Sequence, residues 1–366
     1  MDKFAEIRPY NDDEVAPALA RLMADNDFID VIAKYNLPSF LNQWRTLARI
    51  LVRWRLRNKW GSFNSVEQVQ RVVAQYLSML IDNTTSKVTF SGLDNLAADK
   101  PYLFISNHRD IVLDPALVNW GLHQNNMNTV RIAIGDNLLQ VPYITELMRL
   151  NKSFIVKRSA KAPKEMLRAL SELSEYIYTS LQEGHSIWIA QKEGRAKDGV
   201  DFTDPALIKM LQLHGRKLKL GFAEYINQLQ IVPVSISYQY EPCAIAKARE
   251  LVHKRKYGSY TKVQGEDITS IIDGFSSDKG HVHVAFGEPI HTECDNPDDL
   301  ALQIDKQILT HYHLHSSNYL AAGMDSEVSS SEQASFAARL ALVPEELREQ
   351  VLAMYAEPVK RKSFPE

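Results

Sequence analysis

The sequence predicts an α/β fold in which a central mixed sheet is flanked by helices, with further helices extending from both ends. Between residues 85 and 315, short apolar runs alternate with longer amphipathic stretches, as strands separated by helices do. Runs such as PYLFIS at 101–106 and IVPVSIS at 231–237 are almost continuously apolar, which suits strands covered on both faces. Composition agrees: hydrophobic residues at 45% and charged residues at 24% are those of an ordinary folded domain and exclude general disorder. The 366 residues suffice for one large domain with appendages, or for two domains.

Residues 1–84 read as an N-terminal helical region. The first 36 are acidic and hold one or two short helices. Between Asp30 and Glu67 there is no carboxylate, yet there are seven bases: Lys34, Arg45, Arg49, Arg53, Arg55, Arg57 and Lys59. The stretch LNQWRTLARILVRWRLRNKW at 41–60 reads as one helix. At about 100° per residue, Trp44, Leu47, Leu51 and Trp54 share a face, and Arg45, Arg49, Arg53 and Arg57 share another. Only Arg55 intrudes on the apolar arc. A cationic helix with tryptophan on its apolar face suits the surface of an anionic bilayer. Trp44, Arg45, Arg49, Arg53 and Trp54 are therefore the expected membrane contacts. The plainer alternative is a helix docked on the core by that apolar face. Residues 65–83 read as another helix.

The α/β domain is expected over 85–315. KVTFSGLDNL (87–96) reads as strand and turn, and PYLFISNH (101–108) as a buried strand. RIAIGDNLL (131–139) and KSFIVKRS (152–159) are further strand candidates. Residues 163–184 form a helix with Leu167, Leu170, Leu173, Ile177 and Leu181 on one face and Gly184 as its stop. SIWIAQKEGR (186–195) is a strand running into a loop. Asp204 caps the next helix and Pro205 opens it. A short helix over 221–230, strands at 231–242 and 281–290, and a helix to about 312 complete the domain. In the strand at 231–238, Pro233 cannot donate to a ladder, which implies an edge or a bulge. Residues 316–366 are expected to be a linker and helical tail: a Ser-rich loop at 324–335, a helix over 345–356 and a frayed end at 359–366.

Several function classes are excluded. Lys plus Arg number 42 against 45 Asp plus Glu, a net charge of -3, which argues against a dedicated nucleic-acid binder. There is no Gly-x-Ser-x-Gly elbow, Walker A loop, Gly-x-Gly-x-x-Gly or Cys-x-x-Cys. Two cysteines, Cys243 and Cys294, make no disulfide framework and fit a reducing compartment. The opening MDKFAEIRPYNDDEVAPAL has no apolar core, and no run approaches the ~18 apolar residues of a membrane span. The expected location is the cytoplasm, or the cytoplasmic side of a membrane. His311, His313 and His315 lie near a predicted helix end, where alternate residues diverge, which argues against a metal site there.

The segment SNHRDIVLDPAL (106–117) carries the first candidate chemistry. A histidine at the end of a buried strand, with a carboxylate about a turn further on, is a base with an orienting acid. The histidine is His108, and Asp110 and Asp114 are both available as the acid. A capping cluster at a strand–helix junction is the competing reading. Three later strand ends add groups: Lys157 and Arg158 after 153–156, then Glu193, Gly194 and Arg195 after 187–190, then the strand containing Pro233. Guanidinium binds phosphate bidentately, so the strand-end cations suit a phosphate clamp.

In order and spacing these segments resemble the glycerolipid acyltransferases, the lysophosphatidate and glycerol-phosphate acyltransferase superfamily. Its Asn-His-x4-Asp, Phe-Ile-x-Arg, Glu-Gly-Thr-Arg and Val-Pro-Val blocks are matched by Asn107-His108 with a downstream aspartate, by 154–158, by Glu193-Gly194-Arg195 and by Val232-Pro233-Val234. The likeness covers about 90–290, and its flavour is that of bacterial 1-acylglycerol-3-phosphate acyltransferase-like proteins. His108 and Asp114 are separated by five residues where the family has four, and the third block lacks its Thr.

The resemblance implies a glycerol-phosphate acyltransferase-like sheet and direct acyl transfer to a hydroxyl, with acyl-CoA or acyl carrier protein as co-substrate and no further cofactor. The first-ranked acceptor is a lysophospholipid, 1-acylglycerol 3-phosphate. His108 would be the general base, with Asp114 or Asp110 orienting it. Asn107, Arg109, Phe154, Lys157, Arg158, Glu193, Gly194, Arg195 and Pro233 would shape or bind substrate. The expected partners are the acyl donor, the lipid acceptor and an anionic membrane surface, with the protein peripheral on the inner face of the cytoplasmic membrane. The competing functions are an acyltransferase of this fold on a non-phosphate lipid and a non-catalytic lipid-binding protein.

Overall fold

The structure is a computed structural model that describes residues 2–38, 44–159, 162–263 and 265–363. In chain order the main elements are α1 (Asp12–Ala24), α2 (Asn26–Asn36), α3 (Arg45–Trp60), α4 (Val66–Thr84), β1 (Lys87–Ser91), β2 (Leu103–Ser106), α5 (Leu113–Gln124), β3 (Arg131–Gly135), α6 (Pro142–Leu150), β4 (Ser153–Val156), α7 (Pro163–Gln182), β5 (Ile187–Ala190), α8 (Pro205–Leu218), α9 (Phe222–Gln228), β6 (Ile231–Tyr238), α10 (Ala244–Tyr257), α11 (Glu266–Ser276), β7 (His281–Phe286), α12 (Pro297–His311), α13 (Ser316–Ala321), α14 (Ser330–Ala341) and α15 (Glu345–Ser363). They fall into two compact units, one of Met1–Tyr76 with Arg131–Tyr176, the other of Leu77–Val130 with Ile177–Glu366.

The second unit contains a mixed sheet in the order β1-β7-β6-β2-β5. β1 runs parallel to β7, and β2 runs parallel to both β5 and β6. The β6–β7 pair is antiparallel. Every residue of β2 and of β6 is buried, which is why both read as continuous apolar runs. Helix α12 packs on β6 and α5 on β7. Asp204 caps α8 by accepting from the Ala206 amide at 2.8 Å, as its position before Pro205 predicts.

Four local expectations are corrected. Pro233 lies neither on an edge nor in a bulge: β6 sits between β2 and β7, and Pro233 registers with Ile105. Its carbonyl accepts from Gly287 N at 2.8 Å just beyond the end of β7, so the missing N–H costs one bond at the ladder's last rung. The Ser-rich stretch is no loop, because its serines sit where helices start: the Ser329 hydroxyl accepts from the Glu332 amide and opens α14. The end does not fray from 359, because α15 continues to Ser363 with Val359 buried and Lys362 Nζ donating to the Tyr312 carbonyl at 2.6 Å; residues 364–366 lie outside the described residues. Leu167, expected on the buried face of α7, is 57% exposed, while Leu173, Ile177 and Leu181 are buried.

The first unit packs α1, α2, α3 and α6 around Val15, Leu19, Leu22, Ile29, Val52, Leu56 and Leu150. Its strands β3 and β4 pair in parallel. Helix α3 docks, but of its expected apolar arc Leu51 is half-buried against this core while Trp44, Leu47 and Trp54 are exposed. Its buried residues are Ala48, Val52 and Leu56, on the adjoining face. Arg49 reaches Asp30 of α2 at 2.7 Å, and Arg45 also bonds it. Those two arginines, Arg49 first, hold the Asp30 carboxyl well below the usual carboxylate range. Arg53 donates to the Met23 carbonyl at 2.9 Å and to Asn26 at 2.8 Å. The tryptophan arc is left in solvent: Trp44 is 68% exposed, Leu47 53%, Ile50 59% and Trp54 60%.

Candidate active site

The site in the second unit grows from the C-terminal end of β2, where Asn107, His108 and Arg109 leave the sheet between parallel neighbours. Asn107 is buried and clamps the turn. Its amide oxygen accepts from Ile236 N at 2.7 Å, and its amide nitrogen donates to the Ile236 carbonyl at 2.9 Å. This ties the residue before His108 to the middle of β6.

His108 and Asp114 form a pair. The imidazole Nδ1 lies 2.8 Å from Asp114 Oδ2. The same oxygen accepts the backbone N–H of Arg109 at 2.5 Å and of Asp110 at 2.9 Å. Tyr238 O–H donates to the other carboxylate oxygen at 2.6 Å. Asp114 is fully buried, and burial alone would raise its pKa. The hydrogen bond from His108 and the other donors outweigh burial and lower it. The carboxyl is therefore an acceptor, so Nδ1 carries the ring proton in this assignment and Nε2 presents a lone pair. The His108 side chain is 14% exposed, against 0% for Asp114. Its ring meets the edge of Trp188 at 5.6 Å, and Trp188 Nε1 donates to Ser106 Oγ at 3.0 Å.

Asp110 has a different task. Its Oδ1 accepts from Val112 N at 3.0 Å and Leu113 N at 2.9 Å, and so caps the start of α5. Burial first, and then the Asp114 charge, push the Asp110 pKa up.

Arg109 turns inward. Its guanidinium is buried, bonds Asp201 Oδ2 at 2.6 Å and Glu241 Oε2 at 3.4 Å, and lies 5.8 Å from the Tyr312 ring. Lys247 is also buried and donates to the Arg109 carbonyl and to Glu241, both at 2.6 Å. This network holds the backbone whose amides bind Asp114. None of Tyr238, Asp201, Glu241 or Lys247 was singled out in the sequence. Tyr238 had a readable signal: it lies an even number of residues beyond Val234, so a strand that begins with the Val-Pro-Val block directs both to one face.

The loop after β5 borders the dyad, because Ala196 N donates to the His108 carbonyl at 2.7 Å. Glu193 and Gly194 are exposed, and Gly194 takes a left-handed φ of 78°. Arg195 is half-buried, and its Nη1 is buried without a hydrogen-bond partner among the described residues. Pro233 stands in β6 opposite Ile105.

Phe154, Lys157 and Arg158 belong to the first unit. Phe154 is buried against Tyr176, with ring centroids 5.1 Å apart. Lys157 binds Glu6 at 2.8 Å and Glu172 at 3.4 Å. The amides of Arg158 and Ser159 both donate to Asp136, at 3.1 Å each.

Residues 87–239 match the family model described as Acyltransferase. The matched segment contains the His108–Asp114 pair, the loop with Arg195 and every strand but β7. That match supports the likeness to the glycerolipid acyltransferase superfamily for this segment. Curated relatives include the glycerol-3-phosphate acyltransferases of Pseudomonas paraeruginosa and Pseudomonas aeruginosa, each 23% identical over 205 residues. That alignment takes in 55% of this chain but only 22% of those relatives' length. Among solved structures, the 1-acyl-sn-glycerophosphate (LPA) acyltransferase PlsC of Thermotoga maritima is similar with a TM-score of 0.41 at 13% identity, covering 80% of this chain and 91% of that one. Among the described residues, no helix is long and apolar enough to cross a membrane.

Proposed function

We propose that this chain is an acyltransferase that moves a fatty acyl group from the thioester of acyl-CoA or acyl carrier protein to the hydroxyl of a glycerophospholipid precursor, with 1-acylglycerol 3-phosphate as the first-ranked acceptor. The observation that carries the reading is the imidazole of His108 held by a buried, ionised Asp114. Nε2 of His108 takes the proton of the acceptor hydroxyl as its oxygen attacks the thioester carbonyl. The tetrahedral intermediate collapses with loss of the thiolate, which takes the proton back from the imidazolium. Bonds and protons balance without a covalent enzyme intermediate and without a metal or redox group. Asp114 orients the ring and stabilises its charged form, and Tyr238 and the two amides fix Asp114 in turn. Arg195, with an unpartnered guanidinium nitrogen, serves the acceptor phosphate. Lys157 and Arg158 join that role by the family resemblance.

Thiol release from acyl-CoA, measured with lysophosphatidate, glycerol 3-phosphate and monoacylglycerol as acceptors, tests this. Release is expected to depend on an acceptor and to favour those with phosphate. Arg195→Ala should raise KM for the phosphate acceptors about 10- to 100-fold, the scale of one charge-assisted hydrogen bond, and leave monoacylglycerol unaffected. Equal turnover of neutral acceptors would move the function to a non-phosphate lipid, and no release with any acceptor would leave a lipid-binding protein.

The acceptor lives in a membrane, and α3 offers a way to it. Its arginines Arg45, Arg49 and Arg53 are engaged within the protein, whereas Trp44, Leu47, Ile50 and Trp54 face solvent with Arg55 and Arg57 beside them. We assign membrane contact to this exposed arc, with the protein peripheral on the inner face of the cytoplasmic membrane. Leu47→Ser with Trp54→Ser should weaken sedimentation with anionic vesicles about ten-fold or more, since each buried side chain contributes ~1.5–3 kcal/mol. Unchanged sedimentation would remove the assignment.

A further inference from the structure

Two His-x-His runs meet on the sheet face that the dyad does not use. His281 and His283 belong to β7, where alternate residues share a face. His313 and His315 follow α12, which ends at His311. The expected divergence of alternate residues does not apply to this second pair, because the backbone there is extended: Tyr312 has ψ 121° and His315 has φ -97°, ψ 163°. Ring centroids lie 5.0 Å apart for His281 and His313, 5.0 Å for His281 and His315, and 4.6 Å for His313 and His315.

We propose that His281, His313 and His315 bind a divalent transition-metal ion of the zinc type. One ligand nitrogen from each of the three lies within 4.8 Å of the others. Tetrahedral zinc with Zn–N near 2.0–2.1 Å needs them about 3.3 Å apart, which ring rotations supply. Three imidazoles without a carboxylate select zinc, cobalt, nickel or copper and disfavour calcium or magnesium. Outer-sphere partners are in place: Thr89 Oγ1 lies 2.7 Å from His281 Nε2, and Ser237 Oγ lies 3.3 Å from His315 Nε2. The His313 ring has no hydrogen-bond partner among the described residues, although it touches three other imidazoles.

The role is a clasp. Ser237 and Tyr238 are successive residues of β6, so their side chains take opposite faces of the sheet, one toward His315 and one toward Asp114. The ion would pin the segment 312–315 to β7, and Tyr312 of that segment lies against the Arg109 guanidinium. The metal thus fastens the α12–α13 connection behind the dyad and takes no part in the acyl transfer.

The untagged full-length chain, stripped with chelator, is titrated with Zn2+ alone and with Co2+ alone. One equivalent of Zn2+ should bind and raise the thermal midpoint by several degrees, and Co2+ should give intense visible bands of tetrahedral type. His313→Ala, which breaks no hydrogen bond, should fold and lose at least the 10- to 100-fold in affinity that even an outer-sphere change costs. His281→Ala should do the same, and His283→Ala should keep binding within about ten-fold. Absence of stoichiometric binding to the unaltered chain overturns the site. So does binding that survives both His281→Ala and His313→Ala, or binding lost equally with His283→Ala.

Discussion

A His108→Ala protein is expected to lose about 100- to 10,000-fold of its acyl-transfer rate while keeping its fold, the range that a positioned general base contributes. Among the described residues the ring makes one hydrogen bond, to Asp114, and one edge contact, to Trp188. Removing it strands no buried donor. The Asp114 carboxylate keeps the amides of Arg109 and Asp110 and the Tyr238 hydroxyl. Thermal midpoint and far-UV circular dichroism should therefore change little, and thiol release from acyl-CoA in the presence of acceptor should report the loss. A rate within ten-fold of the unaltered protein would show that the imidazole is not the base and would reduce the dyad to a capping cluster.

Much of this arrangement was legible because each part rests on local rules. A buried apolar run must end where its backbone can leave the sheet, and Asn107-His108 stand at that end. Asp204 with Pro205, and the row Leu173, Ile177 and Leu181, obey capping and periodicity rules that need no tertiary partner. The misses share a different cause, which is pairing across the chain. Nothing near Pro233 reveals that β7 ends beside it. Periodicity finds the faces of α3 but not which one docks, since the choice depends on Asp30 of α2 capturing Arg45 and Arg49. The two acids Asp110 and Asp114 could not be told apart by spacing, because one turn decides which of them reaches back to the imidazole. Asp201, Glu241 and Lys247 were invisible for the same reason: they converge on Arg109 from 92 to 138 residues away.

Asp114→Asn should depress the rate by about 1,000- to 10,000-fold, whereas Asp110→Asn should leave it within about ten-fold. Four donors converge on the two oxygens of Asp114, and an amide offers only one acceptor atom. At least one buried donor is then orphaned, at a cost of about 1–3 kcal/mol. The amide also favours the wrong tautomer of His108, the effect that makes an orienting aspartate in a triad worth about 10,000-fold. Asn at 110 keeps an oxygen for the amides of Val112 and Leu113 and removes a charge that burial and Asp114 both oppose. The two acids also act oppositely on stability. Asp114 has a lowered folded pKa, so its contribution is present above its unfolded pKa of about 3.9 and is lost as pH falls through the folded value. Asp110 has a raised folded pKa, so ionising it costs stability as pH rises from about 3.9 through the folded value. Acid unfolding of Asp114→Asn should accordingly be flatter below about pH 4, and Asp110→Asn should lose the decline above it. Equal rate losses in the two variants would break the assignment, since a residue that only caps α5 has no route to the imidazole proton.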